Sequence, residues 1–328
     1  MSTTYKSDVE AVQDLVVKYN SLRKEIGKVI IGQDEVVRDV LISIFSRGHC
    51  LLVGVPGLAK TLLVNTIAQS LGLTYNRIQF TPDLMPSDII GTEILDESRH
   101  FRFIKGPLFS NIILADEINR TPPKTQSALL EAMQEHHVTI SKERYRLPEP
   151  FMVMATQNPI EQEGTYPLPE AAIDRFMLKV KITYPSRDEE VQIIDAALIG
   201  VEPKVDKVIT PQEIMDTRSL INQIYIDEKL KNYIVDLARA SRQPEDFGLN
   251  DIKGLIQYGA SPRASIYLAQ AAKGHAFIRR RGYVTPDDIK TIGMDVLRHR
   301  IILTYEAEAE EQNAETIIQK VFDAIEVP

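Results

Sequence analysis

Apolar residues recur at helical spacing over 11–29, where Val12, Leu15, Val16, Tyr19, Leu22 and Ile26 share one face. The same period returns over 34–47 through Val36, Val37, Val40, Leu41 and Ile44. The pattern then changes. His49-Cys50-Leu51-Leu52-Val53 is too short for a helix and is followed by glycine, so it reads as a strand buried on both faces. Similar runs stand at 74–80, 111–115, 151–156 and 176–182, with helix-like stretches at 60–71 and 123–135 separating most of them. Strands alternating with helices predict an α/β fold, a parallel sheet with helices on its faces.

Two segments break the alternation. Residues 91–105 hold two short runs around Asp96-Glu97-Ser98-Arg99, and residues 136–147 turn near Ser141-Lys142-Glu143. Each reads as a hairpin inserted into the α/β unit, either a working surface or a simple edge extension. After Tyr184-Pro185-Ser186 only helical periods are expected, at 187–199, 211–223, 227–240, 262–281, 285–300 and 312–324. Ser186, Thr210, Asp227, Ser261 and Thr285 are N-cap residue types, and Pro211, Pro262 and Pro286 suit a first turn. The expected division is an α/β domain over 1–185 and an all-α domain over 186–328.

Composition narrows the class. A chain of 328 residues suits two domains, and 44% hydrophobic with 26% charged residues excludes disorder. No apolar run approaches 18 residues, and Met1 to Glu10 lack an apolar segment of the secretory type, so a cytoplasmic protein without a membrane span is expected. A single cysteine, Cys50, excludes an internal disulfide and a cysteine-based zinc cluster, and reads as a small core residue. A net charge of −8 argues against binding to a nucleic-acid backbone.

The strongest chemical signal is Gly54-Val55-Pro56-Gly57-Leu58-Ala59-Lys60-Thr61, followed by Leu62. It follows a buried strand and opens a helix, as a phosphate-binding loop must. Successive backbone N–H groups and a helix N-terminus cradle phosphate oxygens, Lys60 meets the β and γ phosphates, and the Thr61 hydroxyl is a Mg²⁺ ligand. Ala59 departs from the strict pattern, which has glycine there; alanine is tolerated if that backbone is right-handed. The alternative is a strand-to-helix turn with an incidental lysine. The second signal is Ile112-Ile113-Leu114-Ala115-Asp116-Glu117, an apolar strand delivering two carboxylates to the carboxyl edge of the sheet. Asp116 is placed to hold Mg²⁺ through water and Glu117 to take a proton from the attacking water. A third apolar strand ends in Gln157-Asn158-Pro159, an amide able to orient that water, or a plain turn.

Together these residues resemble an AAA+ ATPase, and within that superfamily the MoxR group. The resemblance is carried by Val29-Ile30-Ile31-Gly32-Gln33, by the loop at 54–61, by ADEINR at 115–120, by ATQNP at 155–159 and by PLPEAAIDRF at 167–176. Gly259-Ala260-Ser261-Pro262-Arg263-Ala264 extends it into the second half, so it covers nearly the whole chain, and Ala59 is what the group usually has. The resemblance implies that Ile31, Gly32 and Gln33 lie along the adenine, that Asn158 is sensor 1, and that Arg175 is an arginine finger acting on a neighbouring subunit. It implies that Arg263 is sensor 2, reaching the γ-phosphate of its own subunit. It further implies ATP and Mg²⁺ as cofactors, a ring of identical subunits with six as the expected number, and partners that include a von Willebrand factor A domain protein and a protein client. The hairpins match the helix-2 insert and pre-sensor-1 hairpin of that clade.

Physical reasoning adds one point. Arg263 falls in the first turn of a helix, where a cation opposes the dipole, so a nearby anion accounts for it better than local stability. That cost is only about 0.3–1 kcal/mol, so an exposed arginine with no partner is also admitted. His136 and His137 read as strand surface, since no third metal ligand has suitable spacing. Arg279-Arg280-Arg281 suits a helix C-terminus, and the acidic run from Glu306 to Glu311 a solvated helix start. Three functions are weighed: an ATP-hydrolysing motor that remodels proteins or inserts metal cofactors, an ATP-gated interaction module with negligible turnover, and a DNA-directed motor.

Overall fold

The computed structural model describes residues 8–95, 99–159, 164–200 and 203–328, with side chains from residue 17 onward. The turn expected at Asp96-Glu97-Ser98 and the side chains of Val12, Leu15 and Val16 lie outside the described residues. Helices α1 (Asp8–Ile26) and α2 (Asp34–Phe45) precede strand β1 (Cys50–Val53), α3 (Lys60–Ser70) and β2 (Tyr75–Gln79). A short α4 (Pro86–Ile90) leads into β3 (Gly91–Leu95) and β4 (Phe101–Lys105), then β5 (Ile112–Asp116) and α5 (Pro123–Glu135). Strands β6 (His137–Ile140) and β7 (Glu143–Arg146) form the second hairpin, before β8 (Met152–Gln157), α6 (Glu170–Ile173) and β9 (Leu178–Lys181).

Five strands make one parallel sheet in the order β2-β5-β8-β1-β9. The period of two assigns its faces. Cys50, Leu52, Ile112, Leu114, Met152 and Met154 point into one core, where α1, α2 and α3 contribute Leu22, Leu41 and Ile67. Leu51, Ile113, Ala115, Val153 and Ala155 point into the other, against Leu129 and Leu130 of α5. Both faces are covered, which is why the inner strands β1, β5 and β8 are apolar along most of their length, whereas the edge strands β2 and β9 carry polar residues.

The rest is mainly helical: α7 (Arg187–Ile199), α8 (Pro211–Gln223), α9 (Glu228–Ala240), α10 (Pro262–Ile278), α11 (Pro286–Leu297), α12 (Tyr305–Ala309) and α13 (Ala314–Ala324). Side chains of Ser186, Thr210 and Asp227 accept the capping hydrogen bonds expected of them. Ser261 does not cap α10; its hydroxyl donates to Asp174 instead, at 3.0 Å. The expectation of helices alone also fails at one point. Strand β10 (Ile256–Tyr258) pairs antiparallel with β11 (Ile302–Leu303), a ribbon too short to leave a period-two signature. Helix α10 packs on α2, α9 and α11, and Leu237, Leu268 and Ile292 share the core of the α1–α3 side of the sheet.

Candidate functional site

The loop of residues 54–59 leaves the carboxyl end of β1 and enters α3. Gly54 is required by space, because a Cβ there meets the Ile182 carbonyl at 2.7 Å. Gly57 is required by conformation, at φ +87°, and the space around it is open. Ala59, contrary to the sequence expectation, is left-handed, with φ 55° and ψ 25°. The glycine of the strict pattern is thus explained by backbone, and Ala59 carries about 1–2 kcal/mol of local strain. The Lys60 ammonium folds back over the loop, donating to the Gly54 carbonyl and, at 3.1 Å, to that of Val55.

Asp116 ends β5 on the same sheet edge. Strand β8 lies between β5 and β1, so the carboxylate stands two strand spacings from the loop, roughly 9–10 Å. It is buried and fully engaged: Arg77 donates to Oδ2 from Nε at 2.9 Å and Nη2 at 2.6 Å, and the Thr156 hydroxyl donates to Oδ1 at 2.5 Å. Glu117 turns out of the strand with φ 55°, its N–H donating to Thr156 Oγ1 at 2.9 Å. Its carboxylate accepts from Gln79 Nε2 at 2.8 Å and lies 3.2 Å from Arg120 Nε. Asn158, buried, follows the end of β8.

Beside the loop is a cavity of about 170 Å³ with a mainly apolar wall. Ile31, Gln33, Gly57, Leu58, Ala59 and Leu62 line it, together with Pro185 and Ile193. Gly32 and Gln33 bring the chain there through two left-handed residues, at φ 68° and 60°. The Gln33 amide donates to the Thr183 carbonyl at 3.2 Å, tying this linker to the end of the sheet.

These residues fit a nucleotide triphosphate with magnesium. The cradle at Gly57 is open, Lys60 supplies a cation over it, and a mainly apolar cavity adjoins it. A hydroxyl at Thr61 and a carboxylate at Asp116 are the hard oxygen donors Mg²⁺ prefers, with phosphate and water completing its shell.

The arginines are elsewhere. Met177 N–H donates to the His49 carbonyl at 2.8 Å, so Asp174 and Arg175 sit at the entry of β9, on the amino edge of the sheet. Four residues of β1, roughly 13 Å, separate that edge from the loop. Arg263 is 3.2 Å from Asp174 Oδ2 and is held at this same edge. The expected reach to its own γ-phosphate is therefore not what the fold provides. The anion that physical reasoning required near its helix start is Asp174. Arg77, Gln79, Pro185 and Ile193 carried no motif, and Thr156, inside ATQNP, carried no role of its own. Only the register Gln79↔Asp116, and the pairing of β8 with β5, bring Arg77, Gln79 and Thr156 to the carboxylates.

Residues 49–178 match the model of the ATPase family associated with various cellular activities, and residues 250–321 match the AAA lid domain. "Chaperone MoxR1" of Mycobacterium tuberculosis is 44% identical over 332 residues, covering 100% of this chain and 88% of that one. "Protein MoxR" of Methylorubrum extorquens is 31% identical, covering 93% and 94%. The crystal structure of a Cytophaga hutchinsonii protein, named as a candidate ATPase, superimposes with a TM-score of 0.92 at 47% identity, covering 97% of each chain. With its phosphate-binding loop, paired carboxylates and lid, the chain belongs to the MoxR family of AAA+ ATPases.

Proposed function

We propose that this chain is a chaperone-like motor that hydrolyses ATP in a ring of identical subunits, six in number, to remodel or mature client proteins, including insertion of metal cofactors. The observation that carries this reading is the division of one ATPase site between the two edges of a sheet. Lys60, Asp116, Glu117 and Asn158 stand at or beside the carboxyl edge, whereas Arg175 and Arg263 stand at the amino edge. Two cations roughly 13 Å or more from the loop support a site that a second copy completes by bringing its amino edge to the loop.

In that arrangement the loop N–H groups and Lys60 bind the phosphates, and Ile31, Gln33 and Leu62 enclose the base. Thr61 and Asp116 would hold magnesium, which would supply charge neutralisation for the β and γ phosphates. Glu117 accepts the proton of the attacking water, Asn158 orients that water, and the neighbour's Arg175 and Arg263 balance the charge developing on the γ-phosphate. The name of the Mycobacterium tuberculosis relative supports the chaperone reading. The two hairpins touch through Phe103 and Tyr145, ring centroids 4.4 Å apart, and leave Leu95 and Phe101 exposed, which suits contact with a client. A von Willebrand factor A domain protein is the proposed partner, and ATP with Mg²⁺ the cofactors.

Steady-state ATP hydrolysis by the wild type and by Glu117→Gln decides between a motor and an ATP-gated interaction module. The motor loses at least a hundredfold in turnover; equal, near-zero rates sink it. Mixing Arg175→Ala subunits with Glu117→Gln subunits tests the division of the site. Each variant alone is inactive, and mixed rings recover activity at the interfaces where an intact loop meets an intact finger. No recovery means the finger serves its own subunit.

A further inference from the structure

No residue of helix α7 is buried. The helix leaves the carboxyl edge of the sheet beside the base cavity, whose wall includes Pro185 and Ile193. Its ends are secured locally: Ser186 and Glu189 form a capping box, and Gly200 closes the helix in the left-handed conformation at φ 67°. The side away from the cavity is bare. Val191, Ile194 and Leu198 stand at i, i+3 and i+7, one stripe about 100–160° round the helix from Ile193. They are 47, 57 and 80% exposed. A helix of 13 residues without tertiary support is marginal in water, and an apolar stripe left open on a single chain marks a contact surface.

A surface of matching character lies on the lid. Tyr258 and Ile266 are 58 and 55% exposed. Ile266 stands three residues beyond Arg263 on α10 and so shares its face, and Tyr258 lines a small cavity with Ser261 and Asp174. The two surfaces differ in sign. On α7, Asp188, Glu189, Glu190 and Asp195 outnumber Arg187. Near Tyr258 and Ile266 stand Arg263, Arg242, whose side chain packs over Gly259, and Arg175, whose carbonyl accepts from the Tyr267 hydroxyl. Glu170 faces them, but Asp174 is already paired with Arg300. The lid surface is therefore basic, and it lies at the amino edge.

We propose that the apolar stripe of α7 is an interface between copies of this chain, seated on the Tyr258 and Ile266 surface of a second copy's lid. Apolar meets apolar there and acidic meets basic. The contact is also continuous with the one that brings the second copy's Arg175 and Arg263 to the loop. Seating α7 steadies Ile193 and Pro185 in the wall of the base cavity, so assembly and enclosure of the base are one event. This rests on the reading of the ATPase site as shared between copies.

The test is sedimentation velocity of the intact chain with Mg²⁺ and a non-hydrolysable ATP analogue, for wild type, Ile194→Asp/Leu198→Asp and Tyr258→Asp/Ile266→Asp. Each double variant raises the midpoint concentration of assembly about tenfold or more. Its Tm stays within about 2 °C of the wild type's, because neither pair is buried in a single chain. Should aspartate disrupt α7, Ile194→Ala/Leu198→Ala keeps helix propensity and raises the midpoint about threefold or more. Cross-linking names the neighbour. Leu198→Cys chains mixed with Ile266→Cys chains give covalent dimers with a short bis-maleimide, and neither gives them alone, since Cys50 is buried. A wild type that assembles beside α7 variants that assemble equally well overturns the proposal and leaves the stripe to another protein. Assembled mixtures that yield no dimer overturn the seating on the lid. A wild type that stays monomeric throughout removes the shared-site reading itself, and the proposal with it.

Discussion

Buried Arg300 and half-buried Asp174 form an ion pair at 2.7 Å that fastens the lid to the segment carrying Arg175. The guanidinium also donates to the backbone carbonyls of Asp174, Phe176 and Met177 at 2.8, 2.6 and 3.2 Å. Ser261 and Arg263 add side-chain contacts to Asp174, and the Tyr267 hydroxyl donates to the Arg175 carbonyl at 3.1 Å. Burial pulls Arg300 down to about 10, still far above neutrality, so the charge persists and needs its partner. Lid and arginine segment are one mechanical unit.

Asp174→Ala therefore leaves a buried arginine without its counter-charge and destabilises the chain by about 3–5 kcal/mol. Denaturant unfolding of Asp174→Ala and of the double variant Asp174→Asn/Arg300→Met separates charge from packing. The double variant is the milder of the two if the unpaired charge is what costs. A single-variant loss below about 1 kcal/mol shows that the buried arginine does not depend on this counter-charge.

Thr156 ties the Asp116 carboxylate to the Glu117 backbone by one hydroxyl, donating to Asp116 Oδ1 and accepting from the Glu117 N–H. Thr156→Val keeps the shape and removes both bonds. Turnover drops about tenfold while nucleotide affinity in EDTA stays within twofold, and Thr156→Ser restores most of the rate. Equal turnover in the valine variant shows that the strand ends hold the carboxylates unaided.

At Ala59 the strain is conformational and can be relieved. Ala59→Gly removes a left-handed Cβ and raises stability by about 0.5–1 kcal/mol, read as an upward shift in Tm. A lower Tm shows instead that chain entropy outweighs the strain at this position.

Two buried groups give opposite pH dependences. Burial, reinforced by neighbouring Asp39, pushes Asp295 up to about 7, so its contribution is present below pH 4 and lost as pH rises from 4 to 7. His49 is buried between the Met133 carbonyl and the Val153 N–H, and burial pulls it down to about 4. Its contribution is present above pH 6.5 and lost as pH falls toward 4. Asp295→Asn thus stabilises at pH 8 by on the order of 1 kcal/mol, an advantage that shrinks toward pH 4. His49→Gln flattens the acid limb between pH 6.5 and 4. Unfolding free energies at pH 4.5, 6 and 8 check both signs.

Sequence alone determined what repeats or stays local. The apolar runs placed all five strands of the parallel sheet, and periodicity with capping residues placed α5, α7 and α8 at the stated residues. Strand, glycine-containing loop, Lys60-Thr61 and helix are contiguous, so the phosphate cradle was legible, as was Asp116-Glu117 at a strand end. Tertiary structure decided the rest, because the interactions concerned join distant residues. Arg77 meets Asp116 across 39 positions through strand register, and Thr156 meets it across 40. Arg263 meets Asp174 across 89 positions, on the edge opposite the loop, because α10 packs against α2 and the entry of β9. A motif records which residue types are present; which sheet edge each one faces depends on the packing of the lid, and no local pattern encodes that.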